Sequence, residues 1–279
     1  MKLFDKVAIV GIGLIGGSLG LAIKRNRLAG QVIGVSRSRK TLARARRNCV
    51  IDRGSQDMAV IRDADLVILA APVHVILNRA REIARVIKDG CIVTDVGSTK
   101  EEIVKKLDTV FDNYIGSHPL AGSEKSGVAH ADPGLFRDSL CIITPTKNTS
   151  SRALKKIKNL WRRLGARTLP LSPEQHDRAL AFVSHLPHIT AFSLISSVPA
   201  QYFPFATGGL KDTTRIAASD STLWKDIFLS NRKNILQAIE SYEHCLSLLK
   251  SALKKQNRNG LNALLEQARK RRASLLRHQ

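Results

Sequence analysis

A chain of 279 residues, 43% hydrophobic and 24% charged, can bury a proper core and has room for two domains. Its formal net charge of +22 invites polyanion binding, yet only 5% of residues are aromatic and they do not interleave with the basic ones, which argues against a single-strand stacking platform. No apolar run approaches the roughly 18 to 20 residues of a membrane span.

The first predicted element is a strand, Val7-Ala8-Ile9-Val10, which passes into Gly11-Ile12-Gly13-Leu14-Ile15-Gly16-Gly17-Ser18 and then into a helical pattern through Leu19, Leu21, Ala22 and Ile23. This is a dinucleotide-binding opening. Gly11 permits the tight turn, Gly13 lets the backbone approach a pyrophosphate, and Gly16 brings the helix close to the sheet. Gly11, Gly13, Leu14, Ile15 and Gly16 are the expected cofactor contacts, with phosphate resting on the free N–H groups of the helix. A second strand, Val32-Ile33-Gly34-Val35, ends in Ser36-Arg37-Ser38-Arg39-Lys40. An NAD enzyme usually carries Asp or Glu at that point. Ser36, Arg37 and Arg39 instead favour NADP through a charge-assisted contact to its 2′-phosphate, with NAD as the alternative if these residues only open a solvated helix.

Leu66–Ala71 and Cys91–Asp95 read as buried strands, Tyr114–Gly116 and Cys141–Thr144 as further strands, and Arg152–Leu164 as a helix leading to Arg167-Thr168-Leu169. The alternation predicts a doubly wound parallel sheet. The pattern changes at Leu171-Ser172-Pro173, and long apolar-periodic segments follow, Asp177–Val198 and Leu223–Leu253. The reading is an α/β Rossmann-type domain over residues 1–171 followed by an all-helical domain over 172–279. Cys49, Cys91, Cys141 and Cys245 form no C-x-x-C pair, and the first residues enter a strand rather than a targeting peptide, so the expected compartment is a reducing cytoplasm. From Lys250 onwards nine basic residues face only Glu266, which reads as a solvated basic helix rather than a nucleic-acid site.

Candidate chemistry lies in loops after the later strands, where open α/β sheets bind ligands. One is Asp95-Val96-Gly97-Ser98-Thr99-Lys100 and the next runs from Gly116 to Gly127. His118, at a strand end and followed by Pro119, is suited to exchange a proton with a substrate hydroxyl, and Ser98 is placed to orient it. In the helical half, Ser184-His185-Leu186-Pro187-His188 carries two imidazoles three residues apart. With no nearby carboxylate to complete a ligand set, no metal is expected and substrate contact is favoured. Lys211-Asp212-Thr213-Thr214-Arg215 follows Gly208-Gly209, and Arg215 suits bidentate recognition of a carboxylate or a salt bridge to Asp212 or Asp220.

Taken in order, G-I-G-L-I-G-G-S, D-V-G-S-T-K, S-H-P-L-A-G-S-E-K-S-G, S-H-L-P-H and G-G-L-K-D-T-T-R-I-A closely resemble the prephenate dehydrogenase family, with its arogenate and cyclohexadienyl members, from Lys6 to about Leu249. The resemblance implies a homodimer built through the helical domain. It also implies oxidative decarboxylation of prephenate to 4-hydroxyphenylpyruvate and CO2 with hydride transfer to NAD(P), in tyrosine biosynthesis. By the same resemblance His118 is the base and Ser98 assists it. Arg215 holds the ring carboxylate, His188 and Lys211 contact the side chain or its carboxylate, Glu124 stands near the cleft mouth, and His185 is chiefly structural. His188 is apolar in some arogenate-specific relatives, so its presence favours prephenate. Neither a membrane nor a specific nucleic acid is an expected partner.

Overall fold

In the computed structural model, residues 2–123 and 125–275 are described. The chain divides into two compact units, Met1–Arg232 and Lys233–Gln279. The first opens with β1 (Phe4–Val10), α1 (Leu14–Arg25), β2 (Ala29–Val35), α2 (Arg39–Arg47) and the short strand β3 (Arg53–Ser55). It continues through β4 (Leu66–Leu69), α3 (Val73–Ala84), β5 (Ile92–Asp95), α4 (Glu101–Leu107), β6 (Tyr114–Pro119), β7 (Leu140–Thr144), α5 (Ser151–Arg163) and β8 (Arg167–Pro170). The strands form one sheet in the order β3-β2-β1-β4-β5-β6-β7-β8.

Strands β1 to β6 are parallel, as expected. β7 is not: it runs antiparallel to β6, and β8 follows β7 in parallel. Among the described residues no long helix occupies the connection from β6 to β7 to carry the chain back to the starting edge before it re-enters the sheet. The antiparallel pairing of Gly116, Ser117, His118 and Pro119 with Thr144, Ile143, Ile142 and Cys141 extends β6 beyond its expected end. His118 therefore lies within a strand rather than just past one.

Helices cover both faces. On one, residues of α1, α2 and α5, including Leu19, Ile23, Leu42, Ile157 and Trp161, pack on Val7, Ile9 and Ile68. On the other, Ile76, Ala80, Ile103 and Leu107 of α3 and α4 pack on Ala8, Val67 and Val93. Strands buried on both sides read as continuous apolar runs, which is why β1, β4 and β5 were recognisable without alternation.

The expected helix over 177–198 is interrupted. α6 (Pro173–Leu180) starts with a capping box between Ser172 and Gln175 and gives way to a π-helical turn, Ala181–His185, before α7 (Leu186–Ser197). Pro187 has no N–H for the carbonyl of Val183, four residues earlier, and its ring crowds that carbonyl, so the turn widens. The continuous helical run Pro173–Ser197 is long and apolar enough to cross a membrane by length and composition, a correction to the expectation that no segment reaches that size. Its His176, Asp177 and His185 are nonetheless buried within protein.

α8 (Gly208–Thr214), a 3-10 turn Arg215–Ala218 and α9 (Ser221–Ser230) follow. Asn231 breaks the second expected long helix, and α10 (Arg232–Lys254) then runs into the second unit. That unit is completed by α11 (Arg258–Leu275). Leu246, Leu248, Leu253 and Leu265 of these helices are exposed.

Candidate active site

The glycine-rich turn between β1 and α1 is shaped as the chemistry of a dinucleotide requires. Gly11 has φ +100°, and a Cβ there would stand 2.2 Å from the Ala70 carbonyl oxygen. A Cβ at Gly16 would stand 2.0 Å from the Gly11 carbonyl oxygen. Only glycine fits either position. At Gly13, by contrast, a Cβ would meet nothing within 4 Å, so the backbone is bare on an open side. Gly13 is also the N-cap of α1, with no side chain capping the helix and no acidic residue in its first turn. The opening N–H groups, which include those of Leu14 and Ile15, are thus left for an anion.

Beyond β2, the Ser38 hydroxyl accepts the Thr41 N–H and caps α2. Ser36 Oγ accepts the Ser38 N–H at 3.3 Å. Arg39 donates from Nε to Gln56 Oε1 at 2.8 Å, and Gln56 in turn donates to the Arg37 carbonyl. Arg39 is therefore partly committed. Among the described residues the Arg37 guanidinium has no hydrogen-bond or ion-pair partner, and no carboxylate lies between Ser36 and Lys40.

The loop after β5 is built round a buried ion pair. Lys100 Nζ donates to Asp95 Oδ2 at 2.6 Å and to the carbonyls of Gly97 and Thr99 at 2.6 and 3.1 Å, using all three of its protons. Asp95 also accepts the Gly97 N–H and the Tyr114 hydroxyl, at 2.8 and 2.7 Å. Burial, reinforced by Asp95, pushes the Tyr114 pKa well above its ordinary value, so this tyrosine stays a donor. The network folds the loop tightly and fixes the half-buried Ser98 at its tip.

His118 projects from β6 and is half-buried. Its Nδ1 lies 2.8 Å from Nε2 of His176 on α6, and His176 Nδ1 lies 2.7 Å from Asp177 Oδ1. The hydrogen-bond partner of the His118 ring among the described residues is thus His176, where the sequence suggested Ser98. Asp177 also accepts the backbone N–H groups of Lys100 and Glu101, at 2.7 and 2.9 Å, which ties α6 to the start of α4. Burial lowers the His118 pKa well below the ordinary histidine value, and His176, Lys100 and His185 push it further the same way. His118 is neutral at physiological pH, the state a proton acceptor needs.

His185, in the π-helical turn, is buried, with its pKa lowered to about 4 by burial. Asn231 Nδ2 donates to the Asp177 carbonyl at 2.7 Å and lies 3.1 Å from His185 Nδ1. His188 stacks on Trp224 with ring centroids 3.5 Å apart and an angle of 22°, and its Nδ1 lies 2.9 Å from the Ser184 carbonyl. A carbonyl only accepts, so Nδ1 carries the proton and Nε2 is a bare acceptor. Burial lowers the His188 pKa, so it is not a fixed cation. Lys211 on α8 and Arg215 at the start of the next turn are exposed, on elements that lie against α7. Glu124 lies outside the described residues. No group of three or more His, Cys, Asp and Glu side chains among the described residues is placed to hold a metal ion.

The chain is similar to known proteins along nearly its whole length. Residues 19–169 match the family described as "Prephenate dehydrogenase, nucleotide-binding domain", and residues 172–267 match "Prephenate dehydrogenase, dimerization domain". The chain is 35% identical over 268 residues to prephenate dehydrogenase of Bacillus subtilis (strain 168), covering 92% of this chain and 72% of that one. This chain belongs to the prephenate dehydrogenase family. It is also 34% identical over 285 residues to cyclohexadienyl dehydrogenase of Zymomonas mobilis, covering 99% and 97% of the two chains. The crystal structure of prephenate dehydrogenase from A. aeolicus, in complex with hydroxyphenyl propionate and NAD+, superposes with a TM-score of 0.92 at 34% identity, covering 97% of this chain and 98% of that one.

Within this prephenate dehydrogenase family member, sequence reasoning overlooked His176, Asp177, Trp224 and Asn231. The pair His176-Asp177 follows directly on Ser172-Pro173-Glu174-Gln175, a helix start with a capping box. A polar pair where an apolar periodicity begins was the available signal. Trp224 and Asn231 carried none, because their partners lie 36 and more positions away in sequence.

Proposed function

We propose that this chain is a prephenate dehydrogenase that favours NADP over NAD and acts as a homodimer. The observation that carries the reading is His118, held uncharged near the end of β6 in a nucleotide-binding sheet and hydrogen-bonded to His176. The glycine turn, with its open face at Gly13, fits a pyrophosphate, and the A. aeolicus relative was crystallised with NAD+. When bound, the oxidised nicotinamide supplies the hydride acceptor. His118 accepts the proton of the ring hydroxyl as the carbon bearing it is oxidised. Loss of CO2 then aromatises the ring, and His118 returns the proton to the phenolic oxygen. Ser98 presents its hydroxyl beside this exchange. Arg215 pairs with the ring carboxylate, and Lys211 and His188 contact the side chain. The protein's work is positioning and proton transfer, because aromatisation drives the chemistry.

The exposed leucines of α10 and α11, within the stretch matched as a dimerization domain, supply the apolar face for a second copy. One observation favours a second reading, dual specificity for prephenate and arogenate. His188 presents an acceptor at Nε2, which suits the ammonium group of arogenate, so rejection of arogenate rests on Lys211 and Arg215 rather than on a charge at His188. The test is reduction of the dinucleotide followed by absorbance, with prephenate or arogenate and with NADP or NAD. Turnover of prephenate, fastest with NADP, is the expected result, and absence of turnover with any pair refutes the reading.

A further inference from the structure

We propose that His176 and Asp177 are positioning residues that hold the single proton of neutral His118 on Nδ1 and so leave Nε2 bare to act as the base, an inference that rests on the reading of His118 as proton acceptor. Oδ1 of Asp177 accepts the Lys100 N–H and Oδ2 the Glu101 N–H, so the carboxylate cannot turn away. His176 Nδ1, 2.7 Å from Oδ1, faces an acceptor and must donate. A neutral imidazole has one N–H, so His176 Nε2 is a lone pair. The 2.8 Å contact between that lone pair and His118 Nδ1 requires one proton, and only His118 can provide it. The backbone of α4 thus dictates, through two side chains, which nitrogen of His118 is basic.

The surrounding charges agree with this order. His118 is acted on by His176 from α6, by Lys100 from the loop after β5 and by His185 from the π-helical turn; His176 in turn is acted on by Asp177, Lys100 and Asp95 at the end of β5, and the Cys141 thiol of β7 meets the His118 backbone. Burial, Lys100 and His185 keep His118 neutral, and burial and Lys100 do the same for His176, against the opposing pull of Asp177 and Asp95. When His118 takes a proton on Nε2, the Nδ1–H still points at His176 Nε2. The new charge is then met by an oriented dipole anchored on Asp177.

The tautomer can be read directly in the full-length protein labelled with 15N-histidine, from long-range proton–nitrogen correlations, with the His118 signals assigned by their loss in His118→Asn. Nδ1–H with unprotonated Nε2 is expected in the unsubstituted protein. In Asp177→Asn a single amide oxygen replaces the two that accept from His176, Lys100 and Glu101, so the hold on His176 Nδ1–H loosens and the Nε2–H form of His118 becomes populated. Turnover should fall about 10²- to 10⁴-fold in both Asp177→Asn and His176→Phe, with KM and dinucleotide affinity changed less than about threefold. His176→Phe spares the α4 contacts of Asp177, so it decides the matter should Asp177→Asn fail to fold. An Nε2–H tautomer in the unsubstituted protein, or a folded His176→Phe that keeps its kcat within about threefold, overturns the proposal. Because the tautomer is read without turnover, failure to oxidise prephenate would count against the proposed reaction and leave the relay result standing.

Discussion

The ammonium of Lys100 and the carboxylate of Asp95 lie 2.6 Å apart and both are fully buried, with every donor and acceptor between them used. Such a pair is costly to bury and more costly to break. It earns its place by fixing the loop that carries Ser98 and by setting the two N–H groups, at Lys100 and Glu101, that Asp177 accepts. Stability and site geometry meet in one ion pair.

Replacing Lys100 by Met leaves the Asp95 carboxylate buried without its cation. The expected loss is about 3–5 kcal/mol, measured as a fall in the urea midpoint at unchanged slope. Lys100→Met together with Asp95→Asn should recover part of that loss, because no buried charge remains. A single mutant as stable as the parent protein contradicts the buried-pair account.

Acid should destabilise the fold through its histidines. The folded-state pKa of His185 is depressed to about 4 from 6.5, so between these values the unfolded chain binds the extra proton. Stability from this group is therefore full above pH 6.5 and is lost as pH falls towards 4, by about 3 kcal/mol for His185 alone. His118 and His176, also lowered by burial, add in the same direction. Chemical denaturation at pH 7.5, 6 and 5 measures the slope, and His185→Gln should flatten it. A slope unaltered by that change assigns the acid lability elsewhere.

His118→Asn should lower turnover about 10²- to 10⁴-fold, because proton acceptance is removed, while dinucleotide affinity stays intact. The same base predicts the pH profile. With the His118 pKa far below its ordinary value, kcat/KM should hold steady through pH 6.5 and fall only at more acidic pH, as Nε2 becomes protonated. Steady-state kinetics between pH 5 and 9 would show an acid limb near 6.5 if His118 were an ordinary exposed histidine.

Arg215→Ala should act on binding instead. Loss of a charged bidentate partner, worth roughly 1.5–3 kcal/mol, should raise the KM for prephenate about 10- to 100-fold with a smaller effect on kcat. Unaltered KM moves the carboxylate site away from Arg215.

What could be read in the sequence was local. The strand, the glycines and the helix that follow one another between Val7 and Ile23 state their own purpose, because a turn with φ +100° and a close helix approach admit only glycine. His118 was recognisable as a base, but its orienting partner was not, since 58 positions separate it from His176. Only the antiparallel return of β7, which extends β6, and the capping of α4 by Asp177 bring the two rings together. The π-helical turn was likewise hidden, although Pro187 marked where it would fall.

Cofactor choice turns on the residues after β2. Arg39 Nε is drawn to Gln56, and Ser38 caps α2, while the Arg37 guanidinium has no partner among the described residues and Ser36 stands at the position where an NAD enzyme carries its carboxylate. Changing Ser36 to Asp and Arg37 to Ala together should remove the attraction to phosphate, add repulsion towards it, and give the ribose hydroxyls an acceptor. Each of the three effects favours NAD, so the ratio of kcat/KM for NADP over NAD should reverse rather than merely decline. The ratio is measured for both proteins with saturating prephenate. If the parent protein already prefers NAD, or if the ratio barely moves, Arg37 is only part of a solvated helix start, and NADP preference is lost while the glycine turn remains the dinucleotide site.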